Sequence, residues 1–220
     1  MSQTIPVDMI DFESPITIVI IIATLLISWQ AFNNSSLFEK FLFNPYAVKH
    51  RKEYYRLFSH MLVHTDWIHV GFNMYVFYSF GTFMEQVFKR KYGMQEGSLL
   101  FIALYILGGL VATLPAMRKH VDNYGYNAVG ASGAVSAVIM AFMVMFPTMQ
   151  IRMFFAIPMP AYVGVLIFFG LEHYLQRKGR TNIAHDAHIY GALFGILFIF
   201  ILDSHALVNF VQSVRTSIFG

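Results

Sequence analysis

The chain has 220 residues, of which 57% are hydrophobic and only 12% charged, with a mean hydropathy of +0.56 and a formal net charge of +3. Apolar runs recur along its whole length, which excludes an ordinary soluble domain and predicts an all-α fold, a polytopic membrane helix bundle. No cysteine is present, so disulfides and a thiol nucleophile are excluded, and the small positive charge gives no reason to expect nucleic acid as a partner.

In chain order, residues 1–14 read as an N-terminal tail. They contain Asp8, Asp11 and Glu13 but no Lys or Arg, unlike the basic start of a secretory signal. The first span is predicted at Pro15 to Phe32. Loop 1, residues 33–68, follows as the longest connection. Its stretch "EYYRLFSHMLVHTDWIH" is too rich in Leu, Met, Phe and Trp to float in water, and is expected to fold against the bundle or lie in the interface. Span 2 is predicted at His69 to Phe88 and span 3 at Ser98 to Met117. The polar "DNYGYN", Asp122 to Asn127, then reads as a loop dipping toward a wet cavity. Span 4, Ser132 to Phe146, is about 22 Å long at 1.5 Å per residue, short of the ~30 Å hydrocarbon core. Its serine end should therefore sit below the membrane surface, in a recess lined by protein or water. Span 5 is predicted at Pro160 to Leu175. It opens on "IPMPA", whose two prolines remove backbone donors and fit either a mobile element or an ordinary helix start. Span 6 is predicted at Ala187 to Leu202. Residues 15–208 thus form one six-helix membrane domain, and 209–220 a C-terminal tail.

Charge gives no clear orientation. With both termini on one side, loops 2 and 4 and the tail carry Lys89, Arg90, Lys91, Arg152 and Arg215, while loops 1, 3 and 5 carry the other ten basic residues. The plain count places loops 1, 3 and 5 in the cytoplasm, but the densest cluster near a membrane end is the "KRK" after span 2.

Polar groups cost free energy inside a bilayer, so each one within a span is a functional hypothesis. His69 and Asn73 in "HVGFN" are four apart and share one face of span 2. His188 in "AHIYGALFG" precedes Gly191 and Gly195, a G-x-x-x-G face that lets another helix approach closely. Ser132 sits in "GASG", between a glycine that permits a tight turn, Gly130, and one that opens the helix surface, Gly133. Packing span 6 on span 4 would bring His188 to Ser132. A histidine base activates a serine hydroxyl, and the free N–H groups at a helix start favour an oxyanion. His69 and Asn73 could add side-chain donors. A third triad member is not evident: Asp186 lies two residues from His188 and points to roughly the opposite side, so a dyad is expected. Each feature also has a packing reading. It is their co-occurrence in one six-span chain that points to catalysis.

Four pieces, in order, resemble the rhomboid family of intramembrane serine proteases. "EYYRLFSHMLVH" resembles its E-x-W-R segment with trailing histidines, although Tyr55 stands where tryptophan is usual. "HVGFN" matches H-x-x-x-N, "GASG" matches G-x-S-G, and "AHIYGALFG" matches A-H-x-x-G-x-x-x-G. The resemblance implies Ser132 as nucleophile and His188 as general base and acid. It implies an oxyanion hole from His69, Asn73 and the Ser132 N–H. It also implies structural roles for Glu53, Arg56, His60, His64 and Glu85. Substrates would be single-span membrane proteins entering between spans 2 and 5, with loop 5 as a cap. The minimal bacterial form would place the protein in an inner membrane with cytoplasmic termini. No cofactor is implied, and the oligomeric state is open.

Two other classes compete with this reading. A rhomboid-like protein without proteolytic activity could bind membrane clients, though such members typically lack the serine or the histidine. A transporter could use His60, His64, His69, His185 and His188 as a proton or metal path. His185 and His188 have a metal-compatible H-x-x-H spacing. However, there is no H-E-x-x-H and no intramembrane carboxylate relay beyond Glu85, so no metal is expected.

Overall fold

The computed structural model describes residues 14–153, 156–178 and 184–220. The acidic N-terminal residues and most of loop 5 lie outside these. Helix α1 (Pro15–Phe32) is followed by a loop 1 that folds into α2 (Ser35–Phe41), α3 (Pro45–Arg51), α4 (Arg56–Ser59) and a 3-10 turn at His60–Leu62. Helices α5 (Trp67–Tyr92), α6 (Met94–Ala112), α7 (Leu114–His120) and α8 (Ser132–Met145) come next. A hairpin of β1 (Gln150–Met153) and β2 (Ile157–Pro160) leads into α9 (Ala161–Lys178), α10 (His185–Leu202) and α11 (Ala206–Phe219). By length and composition, Pro15–Phe32, the continuous Met94–His120 and His185–Leu202 can cross a membrane, and Ser132–Met145 is a shorter apolar helix.

The fold is mostly helical, as expected, and three details add to the expectations. One small hairpin joins the helices: β1 and β2 pair antiparallel, with Gln150 opposite Pro160 and Met153 opposite Ile157. The prolines of "IPMPA" therefore lie in a two-stranded edge, where a missing N–H is tolerated, and α9 starts only at Ala161. Finally, most of the segment read as a C-terminal tail is the helix α11, apolar on one side through Leu207, Val208 and Val211.

The short α8 is the centre of the bundle, with Gly133 to Val138 and Met140 to Val144 all buried. Small residues explain how three helices meet there. A Cβ added to Gly191 would lie 2.1 Å from the Gly133 carbonyl oxygen, and one added to Gly195 would lie 2.2 Å from that of Ala137. On the other side of α8, a Cβ on Gly133 would lie 2.4 Å from the Ala112 Cβ, and one on Gly108 2.5 Å from the Ala137 Cβ. Helices α6, α8 and α10 thus pack backbone against backbone, the arrangement small residues allow where lipid supplies no hydrophobic drive for helix association.

Glu85 ties α5 to α1. Its Oε2 accepts from the Thr17 N–H and hydroxyl, both at 2.8 Å. Its Oε1 accepts from the Ile16 N–H at 3.2 Å and from Lys89 Nζ at 2.6 Å. The side chain of Ser14 makes no capping hydrogen bond to α1, so this fully buried carboxylate serves the helix's first N–H groups instead.

Loop 1 is anchored against the bundle. Arg56 Nη1 donates to the carbonyls of Glu39 and Leu42 at 2.7 and 2.8 Å, and its Nε donates to Glu53 at 2.5 Å. Asn44 caps α3 through the Ala47 N–H and donates to the carbonyls of Tyr124 and Tyr126, which pins loop 1 to the "DNYGYN" stretch.

Candidate active site

The turn entering α8 is built by the loop 1 histidines. Gly130 has φ +109°, a conformation that favours glycine, and a Cβ there would lie 3.0 Å from the His69 ring. The Gly130 N–H donates to the His60 carbonyl at 2.9 Å, and the Ala131 N–H donates to His64 Nε2 at 3.3 Å. Because His64 Nε2 accepts, its Nδ1 carries the proton and donates to Ser28 Oγ at 3.0 Å, while the Ser28 hydroxyl donates to the Leu62 carbonyl at 3.0 Å. With Gly130 and Ala131 committed in this way, the next N–H along the turn is that of Ser132. Among the described residues it has no backbone acceptor.

These two histidines set an acid limit on the fold. Burial pushes the pKa of His60 down to about 4 and that of His64 down to about 3. A protonated His64 could no longer accept from Ala131. The unfolded chain takes up these protons near pH 6.5, whereas the folded chain resists them. Their contribution to stability is therefore complete above about pH 6.5 and declines as the pH falls toward the two folded values. The thermal midpoint in detergent should drop steadily from pH 7 to pH 4. A midpoint that stays flat over this range would contradict the account.

Ser132 opens α8, and its Oγ lies 2.7 Å from His188 Nε2 on α10; both residues are half-buried. The other ring nitrogen of His188, Nδ1, lies 2.9 Å from Glu172 Oε1 on α9. The second oxygen of Glu172 lies 2.6 Å from Nδ1 of His185, which is buried. As a carboxylate only accepts, His188 carries its proton on Nδ1, and Nε2 is free to accept from the serine hydroxyl. A recess of mixed polar and apolar lining reaches His185 and Ala187 at the start of α10 and is bounded by Ala112, Lys119, Tyr126 and Gln176.

His69 stands against Gly130, its Nδ1 3.1 Å from the Thr65 hydroxyl and its ring edge-on to His64 at 4.9 Å. Asn73 is buried one turn further along α5, and its Nδ2 donates to the His69 carbonyl at 3.1 Å, which leaves the second N–H of that amide. The structure thus brings Ser132, His188, Gly130 and His69 together, with Asn73 hydrogen-bonded to the His69 carbonyl on α5. Asp186 turns away from His188 and pairs with Lys119 and Gln176. Glu85, Glu53 and Arg56 lie in the helix-tying and loop-anchoring networks rather than at the serine.

Sequence reasoning missed Glu172. No intramembrane carboxylate relay is expected beyond Glu85, yet Glu172 falls inside the predicted span 5, and the rule that singles out His69 also singles it out. Glu172, His185 and His188 offer three ligand atoms within 4.8 Å of one another, so they are also the residues that could hold a divalent ion. In this arrangement the carboxylate already accepts from both imidazoles.

Fold and site define a helical, membrane-type protein with a serine–histidine pair at the head of a short, buried helix. The chain belongs to the rhomboid family: the Rhomboid domain model matches residues 51–205, from loop 1 through α10. It is 28% identical to Rhomboid protease GlpG of Haemophilus influenzae, over 71% of this chain and 74% of that protein. It is 25% identical to RHOMBOID-like protein 12, mitochondrial, of Arabidopsis thaliana, over 83% of this chain and 56% of that protein. It is 27% identical to Presenilin-associated rhomboid-like protein, mitochondrial, of Bos taurus, over 62% of this chain and 35% of that protein. The chain therefore spans a little over half the length of the plant relative and about a third of the bovine one.

Proposed function

We propose that this protein is an intramembrane serine endopeptidase that hydrolyses peptide bonds within or near transmembrane segments of single-span membrane proteins. The observation that carries the reading is the 2.7 Å approach of His188 Nε2 to Ser132 Oγ at the N-terminus of α8. In the first step His188 takes the hydroxyl proton as Ser132 Oγ attacks the scissile carbonyl carbon. The oxyanion is met by the Ser132 N–H at the positive end of α8, with His69 and Asn73 as side-chain donors. For His69 this requires a proton on Nε2, so the Thr65 hydroxyl, which donates to Asp66 Oδ2 at 2.8 Å in this structure, must turn to donate to His69 Nδ1 when the oxyanion forms. His188 then returns the proton to the leaving amine. A water molecule, deprotonated by the same histidine, releases the acyl group.

The relative named as a protease supports the enzymatic reading. A client-binding role without proteolysis would leave this serine–histidine contact without use. We further propose that α1, α5, α6 with α7, α8, α9 and α10 are six membrane spans, and that residues 15–208 form one domain. The setting we propose is a bacterial inner membrane, with lipid and transmembrane substrates as partners and cytoplasmic termini. A fluorophosphonate probe applied to the purified protein should modify Ser132, and chelators should leave that labelling unchanged. Labelling mapped to another residue, or labelling lost to chelators, would overturn the assignment.

A further inference from the structure

Glu172 is the one carboxylate the described site places against the base, and the dyad reading gives it no task. Three observations bear on it. Its two oxygens lie 2.9 Å from His188 Nδ1 and 2.6 Å from His185 Nδ1, so the carboxylate is held from both sides and its rotation is restricted. The groups are shielded: the side chain of Glu172 is 13% exposed, that of His185 6% and that of His188 16%. The carboxylate also comes from a different helix than the histidines do. The neighbouring Gln176 of α9 donates to Asp186 of α10, a further contact between the last turns of α9 and the start of α10. Far from this contact, the buried residues of α9 are Ala161 and Gly164, at its opposite end.

We propose that Glu172 is the positioning carboxylate of a Ser132–His188–Glu172 triad, with His185 holding its second oxygen. A neutral imidazole exists as two tautomers, and only the one with Nδ1–H presents a lone pair at Nε2 to the serine. Glu172 selects that tautomer and fixes the ring plane. It also faces the positive charge that forms on His188 once the serine proton has moved to Nε2, and it takes up no proton itself. His185, three residues before His188 on the same face of α10, keeps Glu172 turned inward. The inference rests on the serine-protease reading for its catalytic meaning. Its structural content, the Glu172–His188 hydrogen bond, stands apart from activity.

The test uses the full-length protein in detergent with two readouts. The first is nitrogen NMR of histidine-labelled protein, which assigns the tautomer of His188 whether or not the protein cleaves anything. The second is steady-state cleavage of a reconstituted single-span substrate. Wild type should show His188 as Nδ1–H, and Glu172→Leu a mixture of tautomers. Cleavage by Glu172→Gln should fall at least about tenfold in kcat with KM little changed, and Glu172→Asp should recover part of the loss. His185→Phe should give a smaller loss in the same parameter. An unchanged His188 tautomer in Glu172→Leu would overturn the proposal, as would a wild-type kcat in Glu172→Gln. If wild type fails to cleave and Ser132 resists the fluorophosphonate, the protease reading fails, while the tautomer result still decides the role of Glu172.

Discussion

Ser132→Ala is expected to abolish cleavage of a reconstituted single-span substrate, a loss of at least about 10⁴-fold, while leaving the thermal midpoint in detergent almost unchanged. The two halves of this expectation have separate causes. In proteases that use a serine–histidine unit, removing the nucleophile alone costs about as much as removing the whole unit, on the order of 10⁶-fold in kcat. What survives comes from substrate binding and the oxyanion donors, which in the proposed mechanism are backbone and α5 groups that the substitution does not touch. Stability, by contrast, loses one half-buried hydroxyl and its contact with His188, a net contribution of about 1 kcal/mol. The turn itself is held by Gly130, His60 and His64 rather than by the serine side chain. His188→Ala should give a loss of similar size, and the double variant should be no worse than either alone, because the two residues act as one unit. Cleavage by Ser132→Ala at the wild-type rate would refute the serine mechanism.

The parts of this molecule that could be read from sequence are those written within a single helix. The length of α8, the four-residue spacing of His69 and Asn73, and the glycine face of α10 are local periodicities, and each lies where its periodicity places it. The meeting of Ser132 and His188 follows from two small-residue faces, which is a rule about pairs of helices and so was also accessible. Glu172 was not accessible in the same way. Its partners lie 13 and 16 positions away on another helix, and no spacing rule connects residues of two helices at that separation. Its burial inside a predicted span was the available signal. The roles of His60 and His64 were implied by resemblance alone. The physical reason, that one carbonyl and one ring nitrogen bind the two N–H groups ahead of Ser132, needs coordinates. The β1–β2 hairpin escaped because "IPMPA" carries prolines, which argue against a helix interior without indicating that a strand replaces it. The helix α11 escaped because an amphipathic segment after the last span has too little apolar length to be noticed by a search for membrane crossings.

Gly191→Ala should lower kcat by about 100-fold and reduce the thermal midpoint, although it adds one methyl group at a position that touches neither substrate nor the reacting atoms. The added Cβ would lie 2.1 Å from the Gly133 carbonyl oxygen, and backbone cannot rotate out of the way as a side-chain end would. Relief requires α10 to move away from α8 by about 1 Å or more. An insertion of this kind typically costs about 1–3 kcal/mol. The functional consequence is larger than the energetic one because the same two helices carry the reacting pair. Ser132 directly precedes Gly133 on α8, and His188 lies less than one turn before Gly191 on α10. A shift that clears the methyl group therefore stretches the 2.7 Å contact between Oγ and Nε2 beyond hydrogen-bonding distance, and a misplacement of ~1 Å can cost about 100-fold in rate. Gly170→Ala provides the control. Its added Cβ meets no atom within 4 Å, so the helix α9 should gain about 0.4–1 kcal/mol and cleavage should be unaffected. Equal behaviour of the two variants would mean that helix proximity at Gly191 does not set the geometry of the serine and histidine. A loss confined to Gly191→Ala, with slower fluorophosphonate labelling of Ser132, would locate the requirement in the distance between α8 and α10.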